Sequence, residues 1–107
     1  MGNAELKKLL DEQYAIYERR MRRSKQLISR AREYMPGGDT RSVTFFRPFP
    51  SFIKHAKGCR MTDVDGNTCI DFLNNYTSLV HGHAYPKVLQ AVKEQLSKGW
   101  AYAAPME

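Results

Sequence analysis

The chain holds 107 residues, 42% of them hydrophobic and 26% charged, which suits one domain with a modest core and does not suit two. No run of about eighteen apolar residues is present to cross a membrane, and the opening MGNAELKKLLDEQ lacks the continuous apolar stretch of a secretory signal; Leu6 also stands where a myristoylation signal wants Ser or Thr, so a cytoplasmic protein is expected. The net charge of +6 is local: residues 19 to 32 carry seven cations and no acid, whereas everything from Glu33 onward holds eight cations and seven acids.

Residues 4 to 34 read as one long helix. Leu10, Tyr14, Tyr17, Met21, Ser24, Ile28, Ala31 and Met35 recur at spacings of three and four, an apolar stripe flanked by charge. Pro36 ends it and pushes Met35 toward an extended shape, and Gly37 and Gly38 permit backbone angles that other residues avoid. The stretch 39 to 51 predicts a loop or extended segment punctuated by Pro48 and Pro50. From Phe52 the period changes to two. FIKHA, a Lys57-Gly58 turn, CRMTDV, an Asp65-Gly66 turn and NTCIDFL together predict a three-stranded antiparallel meander.

Residues 74 to 84, NNYTSLVHGHA, predict a polar loop. Pro86 then opens a short helix with an apolar face of Val88, Leu89, Val92 and Leu96, and Gly99 closes it. The last residues, WAYAAPME, are aromatic and small with no closing element, so an architecture that continues past Glu107 is expected. The organisation expected is a helix over 1–36, a loop and meander over 37–84, and a helix with a linking segment over 85–107: an α+β arrangement.

Several constellations invite chemistry and reduce to structure. Cys59 and Cys69 lie in a chain without an export signal, which argues for two half-buried thiols rather than a disulfide. A zinc site from Cys59, Cys69, His81 and His83 lacks the close cysteine pair of structural zinc. Asp63, Asp65 and Asn67 imitate the start of a calcium loop, but Thr68 stands where the loop needs glycine, so DVDGN reads as a turn. His-Gly-His before a helix reads as a turn into that helix, with His83 capping backbone groups. The arginine-rich stretch has no aromatic between Arg19 and Arg32, which argues against nucleic-acid stacking and for a solvated or subunit-facing surface. A small module using that basic helix to dock an acidic partner or RNA is the alternative, and salt-sensitive binding would reveal it.

One feature stands apart. In YMPGGDTRSVTFFRPFP, a single cation, Arg41, follows two glycines and precedes a run of aromatics and prolines. Arginine is the side chain best shaped to grip a carboxylate with two parallel hydrogen bonds, and a partly desolvated pocket would strengthen that grip. An ion pair with Asp39 or Asp71 is the structural alternative.

The order of REYMPGG, FIKHAKGCRMTDVDGNTCIDFL, HGHAYPKVLQAVKEQL and a final AP-E resembles the beginning of the class III, pyridoxal-phosphate-dependent aminotransferases. Within that family it is most similar to the β-amino-acid (β-phenylalanine-type) aminotransferases and the glutamate-1-semialdehyde aminomutases. The resemblance runs from about residue 24 to the end and implies the N-terminal part of a fold-type I enzyme, usually a homodimer acting on amino and keto acids. It implies that the catalytic lysine and the phosphate cradle for pyridoxal 5'-phosphate lie outside this chain, which should not transaminate alone. GGDTRSVTFF looks like the β-transaminase version, in which Arg41 would bind the substrate carboxylate. The aminomutases carry serine there and their arginine three residues later, where this chain has Thr44. By the same resemblance Tyr76 lines the substrate pocket and Val43 matches a pocket-lining position.

Overall fold

A computed structural model describes residues 2–105. Its elements are α1 (Asn3–Arg20), α2 (Arg22–Arg32), short 3-10 turns at Pro36–Gly38 and Ser42–Thr44, β1 (Ile53–Lys57), β2 (Arg60–Asp63), β3 (Thr68–Ile70), α3 (Asn74–Thr77) and α4 (Pro86–Lys98). The strands form one antiparallel sheet in the order β1-β2-β3, the expected meander. The chain divides into two compact units, one of residues up to Lys54 with Thr62–Thr68, the other of His55–Met61 with residues from Cys69 onward.

In the first unit the single helix expected over 4 to 34 is two helices. Met21 leaves helical geometry at φ −113° and ψ 42°. The chain keeps the Met21 N–H to Tyr17 carbonyl bond and the Lys25 N–H to Met21 carbonyl bond, both 2.9 Å, so one residue is unwound and no turn is lost. No residue near Met21 is a helix breaker by type. The break comes instead from a partner distant in sequence. The Asp65 carboxylate, in the turn between β2 and β3, accepts the Arg23 N–H at 2.6 Å, the Ser24 N–H at 3.0 Å and the Ser24 hydroxyl at 2.6 Å. These are the amides that a new helix start leaves without intrahelical partners. The first turn of α2 contains no acid of its own and carries two arginines at its positive end, so a negative group from outside is doubly favourable there.

That capping turn is itself tied by Asp63, which accepts the N–H groups of Asp65 (2.9 Å) and Asn67 (2.8 Å) and the Asn67 side-chain amide (2.9 Å). Gly66 sits at φ +89°, the left-handed position for which glycine is suited. DVDGN is thus a turn, as its sequence indicates, and it also caps a helix.

The core of this unit is Met21, Ile28 and Phe49, with Tyr17 and Phe52 packed against it. The expected stripe is buried or half-buried from Tyr14 to Met35, while Leu10 is exposed. The Tyr17 and Phe49 rings lie 5.2 Å apart at 56°, and the Tyr17 hydroxyl donates to the Phe49 carbonyl at 2.9 Å. Burial, with the Asp63 and Asp65 charges behind it, raises the Tyr17 phenol above its ordinary value, so it stays a donor at neutral pH. Ser24 is fully buried yet satisfied, because its hydroxyl also accepts the Phe52 N–H at 3.3 Å. Gly38, at φ +75°, lies so close to α2 that a Cβ there would meet Ile28 Cδ1 at 2.8 Å and Arg32 Cγ at 2.9 Å.

In the second unit Gly58, at φ +58°, turns β1 into β2, and its N–H and carbonyl both pair with His83, each at 2.8 Å. Helix α4 starts with Pro86 in its first turn and stops at Gly99, φ +97°, as expected. Its apolar face of Val88, Leu89, Val92 and Leu96 is exposed. The two thiols differ from expectation: both are free but exposed, because β3 is open to solvent along its length and Cys59 sits in the connection between strands.

Replacing the cap should be measurable locally. Asp65→Ala is expected to cost about 1–2 kcal/mol of stability, read as a lower urea midpoint and faster exchange of the Arg23 and Ser24 amides. Unchanged exchange at those two amides would contradict the capping role. Gly38→Ala should cost at least about 1 kcal/mol in the same assay, since it combines a positive φ with two overlaps.

Candidate functional site

Arg41 follows the turn at Pro36–Gly38 and precedes the turn at Ser42–Thr44. Asp39 organises this loop. Its carboxylate accepts the Arg41 N–H at 3.1 Å and the Thr44 hydroxyl at 2.5 Å; the Arg41 carbonyl accepts the Thr44 N–H at 3.1 Å and lies 2.8 Å from the Thr44 hydroxyl, which shares its one proton between the two oxygens. The Thr44 bond first, then the Arg41 amide, hold the Asp39 carboxyl below its ordinary range. The structural alternative, an ion pair between the Arg41 guanidinium and Asp39, does not form; Asp39 is occupied by Thr44 and backbone.

The expected desolvated setting is also corrected, for Arg41 is exposed. It nonetheless lines an open cavity of about 460 Å³ with Pro36, Gly37, Asp39, Thr40 and Phe45. Among the described residues the guanidinium makes no hydrogen bond or ion pair, which leaves its fork available to an anion at the edge of a cavity with an aromatic wall. Val43 lies in the turn that follows and is exposed.

Tyr76 belongs to the second unit and is carried on α3. This single helical turn is left-handed. Asn74, Asn75, Tyr76 and Thr77 have φ of +50°, +48°, +57° and +68°. Such angles are unfavourable for side chains other than glycine, least so for asparagine, most for a β-branched threonine. The polar loop expected over 74 to 84 therefore contains a strained and ordered element, and Tyr76 projects from it half-exposed.

Asp71 holds the start of that turn. It is 7% exposed and accepts the Leu73 N–H at 2.8 Å, the Asn74 N–H at 3.0 Å and the His83 Nε2–H at 2.7 Å, while its own N–H donates to the Cys59 carbonyl at 2.8 Å. The His83 bond, followed by the Asn74 amide, keeps the Asp71 carboxyl below its ordinary value of 3.8 against the opposing effect of burial. His83 therefore does not cap backbone groups with its ring as expected; the ring pairs with Asp71, and Asp71 does the capping. An Asp just past the end of a strand and three residues before an Asn-Asn pair was the available signal, because Asp bonds to backbone amides two or three residues on. His81 stacks on Tyr85, centroids 4.6 Å apart, and no group of potential metal ligands is assembled among the described residues.

The family model for aminotransferase class-III matches residues 44–106. The chain belongs to the class III aminotransferases. It is 46% identical over 88 residues to glutamate-1-semialdehyde 2,1-aminomutase of Methanocaldococcus jannaschii, covering 82% of this chain and 21% of that protein. Among solved structures, a β-phenylalanine aminotransferase from Variovorax paradoxus superimposes with a TM-score of 0.81 at 33% identity over 87% of this chain and 22% of the other. The glutamate-1-semialdehyde-aminomutase of Pseudomonas aeruginosa PAO1, known also in complex with PMP, superimposes at 0.84 with 25% identity, covering 99% of this chain and 24% of the other. The chain spans about one fifth of the length of the relatives it matches.

The class III aminotransferase family implies pyridoxal phosphate, and the residues described here do not fit that cofactor by themselves. A lysine that binds it must sit desolvated enough to lose its proton. All eight lysines of this chain are exposed. No helix of the described residues is long and apolar enough to cross a membrane.

Asp65 and Asp71, like Asp39, carry a pH signature. Burial would raise Asp65, but the Ser24 hydroxyl and the Arg23 and Ser24 amides outweigh it and hold its carboxyl below the ordinary value, as for Asp71. A depressed carboxyl adds stability above its unfolded pKa and loses it as pH falls through the folded one. The stability these carboxylates contribute should therefore be present at neutral pH and be lost as pH drops through 3.8 and below. Urea titrations across that range should show the decline, and Asp71→Asn should make it shallower.

Proposed function

We propose that this segment belongs to a pyridoxal-phosphate-dependent aminotransferase acting on a carboxylate-bearing, β-type amino acid, and that it contributes substrate selection. The observation that carries this reading is Arg41, a guanidinium unpaired among the described residues, held at the edge of a cavity by a loop whose acid is already occupied. A bidentate arginine fixes a carboxylate in orientation as well as in place. Held so, the acid group sets which C–H of the amino acid faces the reacting centre, which is a positioning contribution to rate and a recognition contribution to affinity. Tyr76 and Val43 enter this reading through the resemblance alone, each as a side chain that would line the substrate pocket. The lysine and the phosphate-binding groups of the cofactor belong, on this reading, to residues other than those described here. The full-length enzyme would be a homodimer of the cytoplasm.

A second reading, an aminomutase, draws support from the 46% identity to the M. jannaschii protein. Arg41 followed by Thr44 favours the aminotransferase, because the aminomutases resembled by this chain place serine at the first position and arginine at the second. Incubating the full-length enzyme with a β-amino acid and a keto acid, and separately with glutamate-1-semialdehyde, separates the two.

In that enzyme Arg41→Ala is expected to raise KM for the carboxylate substrate about tenfold to a hundredfold, the range for losing a hydrogen bond to a charged group, with a smaller change in kcat. A mutant that saturates at the parent's substrate concentration would remove Arg41 from the site.

A further inference from the structure

We propose that His83 is a positioning residue for Tyr76: its ring holds the Asp71 carboxylate that pins the left-handed turn α3, so His83 governs how Tyr76 is presented without touching a substrate itself. The inference deepens the reading of Tyr76 as a substrate-facing side chain and rests on it.

Four consecutive residues in the left-handed region form a turn that persists only where its surroundings over-determine it, and such strain concentrates at functional positions. The determinants are visible at both ends. At the exit, Asn75 and Ser78 close a small ring: the Asn75 side-chain amide donates to the Ser78 hydroxyl at 3.0 Å, which donates back to the Asn75 carbonyl at 2.9 Å. At the entry, Leu73 and Asn74 present amide donors that a helix start leaves open, and Asp71 takes both on one carboxylate oxygen.

The other Asp71 oxygen is reserved for His83. An ionised carboxylate only accepts, so His83 Nε2 carries the proton in this pair. His83 is in turn immobilised through its backbone, which pairs in both directions with Gly58 at 2.8 Å. Gly82, the residue before it, leaves no room for adjustment, since a Cβ there would stand 2.8 Å from the Gly58 carbonyl oxygen. The sequence of constraints is therefore Gly58, His83, Asp71, then the amides that begin α3. Rotating the Asp71 carboxylate would release Leu73 and Asn74 together. The backbone of the turn fixes the direction in which the Tyr76 side chain leaves the chain, so whatever holds the turn also holds that direction.

The test uses the full-length enzyme with His83→Ala, His83→Gln and Tyr76→Ala, each examined by crystal structure and by steady-state kinetics. In His83→Ala, residues 74 to 77 should leave the left-handed region, and KM for the amino donor should rise about tenfold with kcat within about threefold of the parent. His83→Gln keeps an N–H that can donate to Asp71 and should restore turn and KM to within about threefold. A left-handed turn that survives in His83→Ala overturns the proposal, whatever KM does. A turn that relaxes while KM is unchanged in both His83→Ala and Tyr76→Ala overturns the substrate-facing reading of Tyr76 instead. If His83→Ala fails to fold, His83→Gln decides alone: a folded glutamine variant that has lost the turn or the parent KM overturns the proposal, and one that retains both supports it.

Discussion

The Asp65 carboxylate and the first turn of α2 carry the first unit. The helix that starts at Arg22 places two arginines at its own positive end and supplies no acid to offset them, so its start is unfavourable in isolation. Asp65 corrects this by accepting three donors from Arg23 and Ser24, forty-one residues and more away in sequence. Several features of that unit meet at the contact. It ends α1 one residue early, turns Met21 toward Ile28 and Phe49, and buries Ser24 without leaving its hydroxyl unsatisfied. The turn that bears Asp65 is rigid because Asp63 holds its backbone, so the cap is delivered in a fixed orientation.

The second unit repeats the device with a different acid. Asp71 gathers two backbone amides and an imidazole, and the result is a turn in a conformation that its residues would not choose. A short aspartate is suited to this work because its two oxygens can accept several donors at once and its reach matches amides two or three residues onward. The same principle operates at Asp39, where the carboxylate shapes the loop around Arg41 and is thereby unable to neutralise it. In each case the acid is spent on backbone, and the chemistry that faces outward is left to a neighbouring side chain.

The chain belongs to the class III aminotransferases. The apolar face of α4 and large side chains such as Phe72, Val80 and Trp100 are exposed in this chain, which spans about a fifth of its relatives' length. The lysines are all exposed and suit no Schiff base.

By itself the sequence determined the sheet, the helix α4 and the turns, because alternation, Asp-Gly, the N-terminal proline and the closing glycine act within a few residues of where they stand. It also indicated the family, and it drew attention to Arg41 by leaving a cation among aromatics. What it could not show were contacts between residues far apart in the chain. Continuous helical periodicity through Met21 gave no sign of the break, since the cap comes from Asp65. Asp71 and His83 are twelve residues apart and belong to different local patterns, so their pairing, and the left-handed turn it supports, emerged only when the chain was folded. The exposure of Arg41 and of the two thiols was likewise decided by tertiary structure, because burial depends on which surfaces cover a residue and not on the residues beside it in sequence.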